Sequence, residues 1–211
     1  MAASAKQRYY ARYIAHYTKK NNTIIALGGL FIAGMVLGVM LLRGAGHDTL
    51  LLLERLVGGF IAGRAQAGLY ENFISAFSSS MLFVVAVFVA GFCAIAQPVI
   101  LAVPLVRGLG FGFSAASLYL RYGAQATGMV GVLMLPGMLL STLAILICCR
   151  QALRFSGAFF AAMRNESDKT AHPLSLRAHC AVHAFALGLC ALGAFIEAVL
   201  YLAFANSFVL S

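Results

Sequence analysis

MLFVVAVFVAGFCAIAQPVILAVPLVRGLGFGFSAASLYL, residues 81–120, decides the fold. Its forty residues are broken only by Gln97, Pro98, Pro104 and Arg107. An α-helix rises 1.5 Å per residue, so roughly 20 apolar residues cross the ~30 Å hydrocarbon core of a bilayer. Forty residues are two crossings. The stretch therefore predicts a tight hairpin, with helices over about 81–101 and 106–120 and the turn among the prolines.

Working outward, the same length test finds three more crossings. Residues 23–42 carry no charge and end at Arg43. Residues 127–148 are apolar with Pro136 near the middle, a position that neighbouring helices can make tolerable. Residues 183–205 form the last. Composition agrees: of 211 residues 62% are hydrophobic and 10% charged, and mean hydropathy is +0.92. Soluble domains hold about 45–50% apolar and 25% charged residues, which excludes that class here. The expected fold is an all-α polytopic membrane bundle of five transmembrane helices. A basic tail, 1–22, precedes a single membrane domain, 23–211. The polar stretch before the first run is too long for a signal peptide, so that run is expected to be a retained anchor.

The formal charge of +9 is placed to orient helices rather than to grip nucleic acid. Lys6, Arg8, Arg12, Lys19 and Lys20 precede the first run; Arg150, Arg154, Arg164, Lys169 and Arg177 fall in 150–177. With Arg107 these make eleven basic residues on one side. Arg43, Arg55, Arg64 and Arg121 make four on the other. Cytoplasmic loops collect Lys and Arg, which sets the N-terminus inside and, after five crossings, the C-terminus outside.

Two segments outside the crossings are amphipathic. The outer one, 44–72, mixes Leu51, Leu52, Leu53, Leu56, Phe60 and Ile61 with Glu54, Arg55 and Arg64. The inner one, 150–177, sets Leu153, Phe155, Phe159, Phe160 and Met163 against Arg154 and Arg164. Each reads either as a helix lying on the membrane face or as a helix end packed on the bundle. If the outer segment lies on the membrane, its polar face with Arg55 and Arg64 is free to meet a partner.

Glycines four apart (Gly34 and Gly38, Gly59 and Gly63, Gly108 and Gly112) let helix backbones approach closely in lipid. Packing within one bundle is the expected use, ahead of a dimer interface. Glu197 is the lone Asp, Glu, Lys or Arg between 180 and 210. A proton relay needs titratable partners that these spans lack, so Glu197 is expected to act as interhelical glue. On that reading Glu197→Gln is tolerated and Glu197→Leu lowers abundance. Arg107 is expected to snorkel to the cytoplasmic face and hold the hairpin turn.

No catalytic or cofactor pattern emerges. Cys93, Cys148, Cys149, Cys180 and Cys190 are odd in number and lie in or beside apolar runs. His179 and His183 share a helix face with Cys180 beside them, but lack further ligands for zinc. No phosphate-binding loop or zinc-protease motif is present. The residues describe a scaffold or a permease-like subunit rather than an enzyme.

Several motifs, in order and spacing, resemble the stage II sporulation protein M family. They are the basic tail, GMVLG at 34–38, the outer segment ending in Phe73–Phe77, and Arg107-Gly108-Leu109-Gly110-Phe111-Gly112-Phe113. Leu135-Pro136 and Ile196-Glu197-Ala198 complete the set. Many relatives carry a polar residue after the proline, where Gly137 and Met138 stand here. The resemblance implies a non-enzymatic integral membrane scaffold, without cofactor or metal, in the mother-cell septal membrane of an endospore-forming bacterium. It would recruit the stage II sporulation proteins P, an amidase, and D, a lytic transglycosylase, for forespore engulfment. The alternative from the residues alone is a permease-like transporter subunit working with a cytoplasmic ATPase.

Overall fold

The computed structural model describes residues 2–44, 63–64, 67–93, 95–163 and 176–209. All regular structure among them is helical: α1 Ala2–Arg43, α2 Leu69–Gly91, α3 Gln97–Tyr122, α4 Leu135–Met163 and α5 Leu176–Val209. Four stretches are long and apolar enough to cross a membrane: Asn22–Arg43, Leu69–Gly91, Gln97–Phe160 and Leu176–Phe204. Large apolar side chains such as Ile32, Leu82, Leu120 and Leu202 are exposed around the bundle. That outward-facing apolar surface suits lipid, not water.

The third stretch, 64 residues long, doubles back on itself. Arg107 and Ser141 are hydrogen-bonded at 3.1 Å, whereas a straight helix would hold residues 34 apart at about 51 Å. The reversal begins at Gly123, which ends α3 with φ 54° and ψ −129°. A side chain is strained there. Gly123→Ala should lower stability by about 1–2 kcal/mol, read as thermal unfolding in detergent. A 3₁₀ turn (Gly123–Gln125), an α-turn (Ala126–Gly128) and a π-helical stretch (Met129–Met134) lead into α4. Pro136 is the second residue after the π-helical stretch. The wider helix there accommodates a ring that would otherwise crowd the carbonyl of Val132.

The hairpin turn lies earlier than the prolines suggested. It lies between the end of α2 and Gln97, where Phe92 N–H donates to Val89 O and Cys93 N–H to Ala90 O, both at 3.1 Å. Ser156 Oγ fastens it to α4 by donating to Cys93 O at 2.8 Å. Pro98 sits in the first turn of α3, where a helix has no use for its N–H, and so starts the helix rather than breaking it. Pro104 is buried inside α3. The crossing read at 81–101 is accordingly α2, 69–91, and the one read at 106–120 starts at Gln97. The end of the outer segment, 69–72, is already the first turn of α2. Its polarity misled because Asn72 and the serines after it are satisfied locally, as in the Ser78 hydroxyl bond to Ser75 O.

At the other end, residues 150–163 continue α4 without a break. Phe155 is buried there against His179, so this part of the inner segment is a helix end packed on the bundle. The segment's remainder before α5, 164–175, lies outside the described residues. The tail 2–21 is the first half of α1.

Contacts fix the helix directions. Gly34 and Gly38 of α1 lie against Leu105 and Leu109 of α3 in ascending order, so the two run parallel. Phe88 of α2 stacks on His179 while Arg64, before α2, reaches Glu197; α2 and α5 are antiparallel. Phe155 and Gly137 meet His179 and Gly193 respectively, so α4 and α5 are antiparallel too. One buried cluster joins α2 to α5 (Val84, Val87, Ile100, Ile145, Cys148, Cys190). A second gathers Phe111, Leu118, Met129, Leu133 and Tyr201.

Candidate functional site

The α1–α3 contact uses both of the glycine pairs that the sequence marks on these helices. A Cβ on Gly34 would land on the carbonyl of Leu105, and one on Gly38 on that of Leu109. Reciprocally, Gly108 lies against the Phe31 carbonyl and Gly112 against that of Met35. The two pairs serve one another within the bundle. Phe113 is half-buried beside them, its backbone N close to Gly38. Gly63 has open space around it, and Gly59 lies outside the described residues.

Arg64 is not on a free polar face. It is 8% exposed, and its Nη1 donates to Glu197 Oε1 at 2.6 Å. Nε donates to Asn72 Oδ1 at 3.1 Å, and the guanidinium lies 4.4 Å from the centre of the Tyr201 ring. Asn72 Nδ2 returns bonds to Arg64 O at 2.8 Å and Ala67 O at 3.2 Å. Folding draws Arg64 inward because Glu197, stranded in an apolar helix, needs a cation more than Arg64 needs water. Arg55 lies outside the described residues.

Glu197 is thus ion-paired to the segment before α2 rather than bonded to the middle of a neighbouring helix. Its carboxylate is crowded by Gly137, where a Cβ would meet Glu197 Oε2 at 2.9 Å and the Gly193 carbonyl at 2.8 Å. A side chain at 137 does not fit this α4–α5 crossing. Pro136 itself is exposed one residue before.

Arg107 does not snorkel to the hairpin turn. It lies ten residues into α3, about 15 Å from its start at 1.5 Å per residue, and points across the bundle. Nη1 donates to Ser79 Oγ at 3.3 Å, and Nη2 to Ser80 Oγ at 3.3 Å and Ser141 Oγ at 3.1 Å. Ser141 passes its own proton to Met138 O at 3.0 Å. The Phe83 ring centre is 5.5 Å from the guanidinium. Serines of α2 and α4 hold Arg107 where lipid would repel it.

These groups line a cavity of about 440 Å³, walled by Arg64, Arg107, Glu197, Ser79, Phe83 and Met138 among others. The sequence marks Arg107, Arg64 and Glu197 individually but assigns them to three separate places. That reading misses Asn72, Tyr201 and the serines. The legible signal was that α2 carries four serines within six residues, Ser75, Ser78, Ser79 and Ser80, unusual for a lipid-facing helix.

The histidines form a second polar cluster. His179 and His183 are both buried, with His179 stacked on Phe155 and Phe88 at 4.5 and 5.1 Å between ring centres. His183 Nδ1–H donates to His179 O at 2.8 Å. Cys180 is exposed on the same turn. Among the described residues no group of three or more His, Cys, Asp or Glu is placed to hold a metal ion.

No family model, curated protein or solved structure matches the chain.

Proposed function

We propose that the chain is a five-crossing integral membrane protein, N-terminus cytoplasmic and C-terminus external, that acts as a non-catalytic scaffold. On the resemblance of its motifs it would gather peptidoglycan-degrading partners, stage II sporulation proteins P and D, at a septal membrane during engulfment. The alternation of helix directions, with α1 parallel to α3 and α5 antiparallel to α2 and α4, supports five crossings. The eleven-to-four division of basic residues supports the orientation.

The observation that carries the scaffold reading is the Arg64–Glu197 pair. It ties the start of the second crossing to the far end of the last, so the external ends form one braced platform. Since Arg64 is buried, the external surface open to a partner among the described residues includes Tyr70 and Glu71, exposed at the start of α2. Double replacement Tyr70→Ala and Glu71→Arg should weaken co-purification of the amidase without changing insertion. Unaltered co-purification, with loss on truncating the N-terminal tail, would move the partner site inside and oppose the scaffold. In cells, a fluorescent fusion should gather at asymmetric septa, and deletion should block engulfment.

Topology has its own test. Reporters after Lys20 and within 166–170 should read cytoplasmic, and those after Asp48 and Ser211 external. A cytoplasmic Ser211 would remove one crossing.

The polar cavity favours a second reading, a permease-like subunit partnered by a cytoplasmic ATPase. Co-purification of an ATP-binding subunit, lost on changing exposed Phe159 and Phe160 near the end of α4, would favour it over the scaffold.

A further inference from the structure

We propose that the cavity between α2, α3 and α5 binds one oxyanion of the phosphate class, with Arg107 as its anchor. The charges around the cavity do not balance: its lining holds two guanidiniums and one carboxylate. The Glu197 carboxylate is already engaged, at 2.6 Å, by Arg64. Arg107 meets three serine hydroxyls and a phenyl ring, which orient and solvate it but bring no charge. Its Nε is buried with no hydrogen-bond partner.

A guanidinium cannot shed its proton, so Arg107 stays a cation in a setting that penalises one. A bound oxyanion supplies the missing charge. The Arg107 guanidinium, with the Ser79 hydroxyl beside it in the cavity wall, offers the kind of donors that recognise phosphate oxygens.

Size and access agree. About 440 Å³ exceeds a bare phosphate and is enough for a phosphate bearing a glycerol. Ser79 of α2 and Val106 and Gly110 of α3 line the cavity and are exposed, so it opens sideways between these helices. Phe83, Leu109 and Met134 give it apolar walls. A phosphodiester headgroup of an anionic lipid and free inorganic phosphate share the required chemistry. The proposal holds whether or not the chain is a septal scaffold, because it rests on charge and geometry alone.

The test uses the full chain in nanodiscs of phosphatidylcholine, with or without phosphatidylglycerol, and follows thermal unfolding as inorganic phosphate is added. Wild type should be stabilised by one of the two anions. Response to phosphatidylglycerol alone assigns the lipid headgroup; response to inorganic phosphate in phosphatidylcholine assigns the free anion. Arg107→Gln should raise the half-maximal concentration by roughly thirtyfold or more, and Arg107→Lys by less, since Lys keeps the charge. No stabilisation of wild type by either anion overturns the proposal, as does an equal response from Arg107→Gln. Should Arg107→Gln not fold, Arg107→Lys and Ser79→Ala decide: both should bind more weakly, and an unchanged response in both overturns the site.

Discussion

Glu197→Gln should lower stability by about 3–5 kcal/mol, enough to deplete the protein from membranes. Glutamine keeps the shape and a hydrogen-bonding oxygen, which is why the sequence alone expected it to be harmless. What it loses is the charge paired with Arg64, whose side chain is 9% exposed against 16% for Glu197. A buried cation deprived of its carboxylate costs more than the pair itself contributes. The companion change separates these terms. Arg64→Gln with Glu197→Gln removes both charges and should recover a large part of the loss, a coupling visible in a double-mutant cycle. Abundance by immunoblot and unfolding in detergent are the readouts. A Glu197→Gln protein as abundant and stable as wild type would mean that the ion pair bears no weight.

Enlarging the glycines between α1 and α3 should be nearly as damaging. At Gly34, Gly38, Gly108 and Gly112 a Cβ meets backbone atoms, which cannot rotate away. Each substitution by alanine should cost about 1–3 kcal/mol, and Gly38→Leu should separate α1 from the bundle. Gly29 is the control: it is exposed on α1 with nothing within 4 Å of a built Cβ. Gly29→Ala should leave stability unchanged or slightly raised, because alanine is the better helix former. Cysteine cross-linking between α1 and α3, strong in wild type and lost in Gly38→Leu, would report the separation directly. Equal effects at Gly29 and Gly38 would remove the argument from close packing.

The class of fold was legible because apolar length against bilayer thickness is a strong constraint, and residues 81–120 carry it plainly. The boundaries were not. The prolines suggest the turn, but Pro98 is compatible with a helix start and Pro104 with a buried interior position. Polar side chains near 72–80 suggest an end to the membrane segment, although Asn72, Ser79 and Ser80 find partners in the Arg64 and Arg107 side chains. The glycine pairs were legible as packing surfaces, yet spacing alone could not say that one pair answers the other. The site was the least legible part. Arg64, Arg107 and Glu197 lie on three elements far apart in the chain, and one sequence holds no signal that they share a cavity.

The glycine contact also sets an order on how the protein is made. Gly34 precedes Leu105, whose carbonyl it lies against, by 71 residues, which a ribosome working at roughly 5–20 residues per second takes about 4–14 s to synthesise. During that interval α1 rests in the bilayer with its small-residue groove covered only by lipid chains. Its partner is not the next helix to emerge but the one after, so α2 must insert first without occupying the groove. A neighbouring nascent chain carries the same groove at the same stage. Slow translation between codons 44 and 108, or crowding of ribosomes on one message, therefore lengthens the time in which α1 can pair with the wrong molecule.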